Sequence, residues 1–321
     1  MKKTLIASAI AAATLSTAAF AEGPTIYGNL QLAYGHTSTD TGSVETTAND
    51  FFDNGSTLGV KAEHEIAPGI TGFAKAEFEF AADSTETSSG IDTLDEAYIG
   101  VKGGFGSVLV GSEDTVYEWT DMIDFTEASS FQGEIAKDSE GDQLQYVSPT
   151  IAGGLSVGVS LPLTNDTLYS GQIAGMYSTN MFDVALAYSI GKDQPDSATA
   201  YGDSVGFAAK VKLNQLALIG QYETRSADET LVGGVEDPTT ELDLWALSAV
   251  YSLNKTQLAV GYKATSDGAA VSTDDDLVFL QALHNLSDSM YVYVEYGTGS
   301  TDVGSTSVDH DELYIGAAYN F

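Results

Sequence analysis

Apolar and polar side chains alternate with a period of two through most of the chain, most plainly in residues 313–321. There Leu313, Ile315, Ala317, Tyr319 and Phe321 point one way. Tyr314, Gly316, Ala318 and Asn320 point the other. This is the pattern of a strand with one apolar and one wetter face, and an aromatic end suits a membrane-interface girdle. Residues 26–34 repeat it, with Ile26, Leu30, Leu32 and Tyr34 against Asn29 and Gln31. Leu58, Val60 and Ala62 oppose Thr57, Lys61 and Glu63 in the next strand. Ala74, Ala76, Phe78 and Phe80 then oppose Lys75, Glu77 and Glu79. Residues 155–161 and 182–190 alternate as clearly, whereas 242–251 and 277–283 are apolar on both faces and alternation does not orient them.

Turn chemistry divides these strands. Short turns fall at 67–69, 103–104, 149–154, 178–180, 213–215, 253–255 and 285–289. Longer polar segments fall near 37–53, 81–93, 113–140, 162–169, 191–202, 224–240, 264–275 and 298–310. Long loops on one side and short turns on the other give sixteen strands of about 9–11 residues, the length that crosses a bilayer at a tilt. The predicted class is all-β: a sixteen-stranded antiparallel transmembrane β-barrel. Closure satisfies every backbone group, as hydrocarbon demands.

Residues 1–21 stand outside that pattern. Lys2 and Lys3, an apolar run over 5–13 and Ala19-Phe20-Ala21 read as a secretory signal, leaving 22–321 for the barrel. No cysteine is present, so a disulfide scaffold is excluded. Acidic residues number 46 against 12 Lys plus Arg, which argues against nucleic acid as a partner. The 17 Tyr and 13 Phe spread along the chain argue against acidic disorder. His36, His64, His284 and His310 are scattered and none lies in a nucleophile or metalloprotease motif, so an enzyme is not indicated. Asp274, Asp275 and Asp276 lack the spacing of an EF-hand, and no cofactor or resident metal is expected.

Four stretches carry a family likeness. Asn-Gly-Ser-Thr-Leu-Gly-Val-Lys-Ala-Glu-His at 54–64 resembles the second strand of Gram-negative general porins. Residues 95–111 resemble their fourth and fifth strands, and 142–149 the strand after their constriction loop. Residues 284–296 and the terminal Phe321 complete the likeness, which runs over essentially all of 22–321. It implies a water-filled, usually trimeric diffusion channel of the outer membrane. Its partners would be lipid, lipopolysaccharide and, through Phe321, the barrel-assembly machinery.

In that family the third long loop folds into the pore and faces basic residues on the wall. The matching loop carries Glu113, Asp114, Glu118, Asp121, Asp124 and Glu127, and the resemblance implies that these line a constriction. Tyr117, Trp119, Met122, Ile123, Phe125 and Phe131 are costly to leave in water, so the loop is expected to pack on the inner wall. Arginines that the family carries on the wall are replaced by Thr57 and Ser112. Lys61, Lys75 and Lys102 remain on the lumen phase. The expected channel is therefore cation-selective. A sugar-specific channel is the alternative, with Tyr98, Trp119 and Tyr314 as scattered candidates for an aromatic track.

Overall fold

The alternating segments close into one continuous hydrogen-bonded sheet. The computed structural model describes residues 23–321 except 85–90, 124, 130, 132–134, 137–140, 164–170, 192–201, 227–240 and 268–271. The segment 1–21, read as an export signal, lies outside the described residues, as does Asp124. The first strands are β1 (Thr25–Asp40), β2 (Glu45–Asp53), β3 (Ser56–Ala67), β4 (Ile70–Phe80), β5 (Ile91–Gly103) and β6 (Gly106–Ser112). After the long loop follow β7 (Gln143–Val147), β8 (Leu155–Pro162), β9 (Gln172–Ser178), β10 (Phe182–Ser189), β11 (Ser204–Leu213) and β12 (Leu216–Arg225). The last are β13 (Leu242–Leu253), β14 (Thr256–Asp267), β15 (Thr273–Asn285), β16 (Met290–Val303) and β17 (Thr306–Asn320).

Apart from β2 and β3, which both pair with β1, each strand pairs antiparallel with its chain neighbours, and β1 pairs with β17 from Asn29 opposite Asn320 to Asp40 opposite Asp309. Gly28 and Phe321 complete the seam by exchanging backbone hydrogen bonds of 3.1 and 3.0 Å. Seventeen segments make sixteen barrel strands because β2 and β3 are two halves of one. The upper half of β1 pairs with β2 and the lower half with β3. The kink between them is Asn54-Gly55, with Gly55 at φ 80° and the Asp53 carboxylate accepting from the backbone N–H of Gly55 at 2.7 Å. Only a residue without a Cβ takes that conformation cheaply.

Residues 37–53, expected as a polar loop, are largely strand. Their threonines favour extended backbone, and β1 with β2 continues the ladder past the barrel rim. Residues 298–310 behave likewise, leaving a tight turn at Gly304 between β16 and β17. All seven short turns fall between consecutive strands.

The outer face is the apolar one. Leu186, Leu247 and Ile315 are more than half exposed, as a lipid-facing belt requires. Tyrosines edge the belt. On the long-loop side Tyr222 donates to Asp243 at 3.1 Å and Tyr296 to Asp311 at 2.7 Å. On the short-turn side Tyr251 donates to Gln215 at 3.0 Å and Tyr146 to the Phe105 carbonyl at 2.9 Å. Such rings keep their apolar body in lipid and their hydroxyl at the wet boundary.

A loop gripped by the inner wall: the candidate pore site

The packed cores of this protein lie inside the barrel, between the wall and the loop that joins β6 to β7. That loop opens with a 3-10 turn, Val116–Thr120, whose N-cap Thr115 accepts from the Tyr117 N–H at 3.2 Å. The Val116 N–H donates to Ser160 of β8 at 3.1 Å. Val116 and Tyr117 are fully buried against Ala174 of β9 and Ala187 of β10, with Trp119 packed beside them. Further along, Ile123 and Phe131 are fully buried against Ile219, Ala246, Leu277 and Phe279 of β12, β13 and β15. Phe131 stacks on Phe279 with ring centroids 5.2 Å apart. Full burial of each such side chain contributes roughly 1.5–3 kcal/mol, which decides that the loop packs on the wall rather than standing in water.

Wall glycines make the seats. A Cβ on Gly261 of β14 would stand 2.4 Å from Cζ of Phe131, and one on Gly206 of β11 would stand 2.6 Å from Oγ1 of Thr120. Both approaches are closer than any side-chain carbon tolerates, so these positions are occupied by the loop instead.

Polar contacts then fix the register, and most reach backbone atoms of the loop. Gln145 donates to the Asp114 carbonyl at 2.8 Å, and Gln143 donates to that of Glu113. Gln221 accepts from the N–H of Met122 at 3.1 Å, and Gln281 donates to the Phe125 carbonyl at 2.8 Å. The Glu295 carboxylate, fully buried on β16, accepts from the N–H groups of Glu127, Ala128 and Ser129 at 2.6, 2.9 and 2.9 Å. Gln281 adds a fourth donor at 3.0 Å. A buried carboxylate is tolerable only with that many donors.

The acidic residues expected at a constriction are spread along this path. Glu113 and Asp114 begin it, beside Glu96 and Lys75 of the wall. Burial, with the charges of Glu96 and Asp114, pushes the Glu113 carboxyl well above the usual carboxylate range, and Lys75 opposes the shift. Glu118 lies in the 3-10 turn. Asp121 stands within electrostatic reach of Lys263 on β14. Glu127 accepts from Gln31 and from Tyr291, each at 2.8 Å. These side chains are not gathered at one point.

The basic wall is largely compensated. Lys75 contacts Glu96 and stands 4.0 Å from Glu77. Lys102 lies 2.7 Å from Glu63, and Lys61 sits over the Tyr27 ring at 4.9 Å. Glu77, Asp95 and Glu96 bring carboxylate oxygens within 4.8 Å of one another. A bulge in β5 puts this extra acid there: Glu77 pairs with Glu96 and Phe78 with Leu94, so Asp95 has no cross-strand partner. Thr57 lies on the lumen phase, its N–H donating to Asn29 at 2.8 Å. Ser112 ends β6 opposite Ala97, on the outward phase of the register, so it falls outside the row of wall lysines. Sequence reading missed Glu223, Arg225, Lys263, Gln281 and Glu295. Alternation was the available signal for all but Gln281, which lies in the 277–283 segment that it does not orient, and it does not say what an inward residue touches.

Sixteen antiparallel strands closed around a lumen, an apolar outer belt and an inward-folded loop define an outer-membrane β-barrel channel. The family model described as Gram-negative porin matches residues 7–304, and the chain belongs to that family. A protein named a monosaccharide porin, from Halomonas sp, is 30% identical, with 92% of this chain and 94% of that protein covered. The major outer membrane protein P.IB of Neisseria meningitidis serogroup B is 26% identical over 100% of this chain and 89% of its own. Among solved structures, the anion-selective porin from Comamonas acidovorans superposes with a TM-score of 0.75 at 14% identity. That superposition covers 93% of this chain and 99% of the other.

Proposed function

We propose that this outer-membrane porin is a cation-preferring channel for passive diffusion of small hydrophilic solutes. It works as a homotrimer exported through residues 1–21 and embedded in outer-membrane lipid and lipopolysaccharide. The observation that carries the preference is the pairing of wall lysines with wall carboxylates. Lys75 with Glu96, Lys102 with Glu63 and Lys212 with Asp183 leave little uncompensated positive charge to face the acidic loop. Fixed negative charge in a narrow aqueous path concentrates cations and excludes anions. The field reaches ~10 Å at 0.1 M salt and ~3 Å at 1 M, so the preference is strong in dilute solution and shrinks towards neutral near molar salt.

Reversal potentials of the purified protein in planar bilayers under a KCl gradient test this reading. Replacing Asp121, Asp124 and Glu127 by Asn and Gln lowers the cation preference more than neutralising Asp302 and Asp309. Within the loop set Glu127→Gln has the larger effect than Asp121→Asn, because Gln31 and Tyr291 are neutral donors whereas Lys263 offsets Asp121. A zero or anion-selective potential in dilute KCl sinks the proposal. The trimer is checked by an oligomer band on unheated gels that collapses on boiling; a monomer by light scattering in mild detergent refutes it.

A sugar-preferring channel is the second reading. The Halomonas relative's name suggests it, and Phe73 meets Tyr98 edge-on at 6.0 Å on the wall near Tyr27. Liposome swelling with monosaccharides against polyols of equal size separates the two: equal rates leave a general channel.

A further inference from the structure

We propose that Glu223 and Arg225 form a clamp on the returning half of the inward loop, and that this clamp keeps the channel's aperture steady. Arg225 is the only arginine in the chain, and an arginine on the lumen side of a pore would ordinarily be read as a charge that selects ions. Its surroundings point elsewhere. Arg225 is buried, and its NH1 donates to the Ile135 carbonyl at 2.7 Å. Two residues earlier, the fully buried Glu223 accepts from the N–H of the same Ile135 at 3.0 Å. One wall strand therefore holds both backbone polar groups of a single loop residue.

The strand geometry explains why these two residues can do it. Positions two apart project from the same face with their Cα atoms about 6–7 Å from each other, and side chains as long as Glu and Arg can lean together from there onto the neighbouring N–H and C=O of one residue. The acceptor and the donor together take the place of a ladder partner for Ile135. Glu223 also reaches the outgoing half of the loop, accepting from the Tyr117 hydroxyl at 3.3 Å, and its other oxygen accepts from Gln221 at 2.7 Å. The cross-strand neighbour of Glu223 is Gly206, where a Cβ would stand 3.0 Å from that same hydroxyl. Carboxylate, guanidinium and glycine together thus form a seat in which both legs of the loop meet one pair of strands.

The tip is held separately, by Glu295. Loss of the Glu223–Arg225 clamp therefore releases one leg while the tip stays bound. The consequence is a fluctuating aperture rather than an unfolded barrel. Charged hydrogen bonds to buried partners are those whose loss shifts such a local equilibrium most.

The test uses the whole chain and has two readouts. The chain lacks cysteine, so Ala136→Cys, next to Ile135 and packed against the buried cluster of Val116, Tyr117, Ala174 and Ala187, is a clean reporter. In the Arg225→Met background, which keeps the side-chain volume but cannot donate, that thiol reacts about tenfold faster with a small methanethiosulfonate. Single-channel records of Arg225→Met and of Glu223→Ala show raised open-state noise, with the heat-modifiable band retained. Arg225→Lys, which still donates to the carbonyl, returns both readouts towards wild type. Glu223→Ala combined with Arg225→Met is no noisier than the worse single variant, because both act on Ile135. Unchanged labelling and unchanged noise in Arg225→Met overturn the clamp. So does a lysine variant that behaves like methionine. The noise readout rests on the channel reading, whereas thiol labelling does not. A wild-type protein that fails to conduct therefore defeats the channel and leaves the clamp to be judged by labelling alone.

Discussion

At the scale of single residues, carboxylates divide into those that face water and those that hold protein. Glu295 and Glu223 are fully buried and accept several hydrogen bonds each, so their role is attachment. Glu113 is a loop acid in unfavourable surroundings, and its raised titration makes a testable statement. As solution is brought from acid through neutral to alkaline, the exposed acids ionise first and Glu113 late. The proposed cation preference therefore gains a second rise on the alkaline side, which Glu113→Gln removes; reversal potentials across that range would show it. A single-step profile identical in the two proteins counts against the assignment. The linked stability runs the other way: a folded-state carboxyl that holds its proton more tightly contributes stability at low pH. That contribution is lost as pH rises through the raised value. In the sequence, alternation placed Glu63, Glu77 and Glu79 on the wetter face of their strands. It could not single out Glu295, because the partner that buries it comes from a loop 166 to 168 positions away.

At the scale of elements, β13 and β15 show what periodicity leaves out. Leu244, Ala246, Leu277 and Phe279 face inward and Trp245, Leu247, Val278 and Leu280 outward, so both faces are apolar. Lipid accounts for the outer set. The docked Ile123 and Phe131 account for most of the inner one. A strand that receives a loop is thus hidden from a rule that expects water in the lumen. The loop's own apolar residues, by contrast, did announce that it packs on something. The seats give a direct check. Gly261→Val pushes on the Phe131 ring and costs about 1–3 kcal/mol, the usual penalty of overfilling a packed site. Gly175→Ala, where a new Cβ meets nothing within 4 Å, is neutral. The temperature at which the folded gel band disappears measures both; equal behaviour of the two variants refutes the seat.

At the scale of the whole molecule, the strand count followed from counting turns, since a closed barrel leaves no other way to alternate short and long connections. What turn counting misplaced was the height of the wall, because β1 with β2 and β16 with β17 run on beyond the rim. Closure depends on the seam between β1 and β17, where Phe321 is the last residue to bond. We propose that this ring is also what the assembly machinery reads. Phe321→Asp then lowers the amount of folded protein in the outer membrane and leaves the chain in the periplasm, as fractionation would reveal. Normal surface levels would show that the ring is dispensable.

The polar contacts by which the wall holds the loop reach largely its peptide groups, from the Glu113 carbonyl to the N–H of Ser129 and both ends of Ile135. Peptide groups are the same whatever side chain they carry. Substitutions at water-facing loop positions can therefore accumulate without undocking the loop, and the permeability of the channel can drift while its architecture is inherited unchanged.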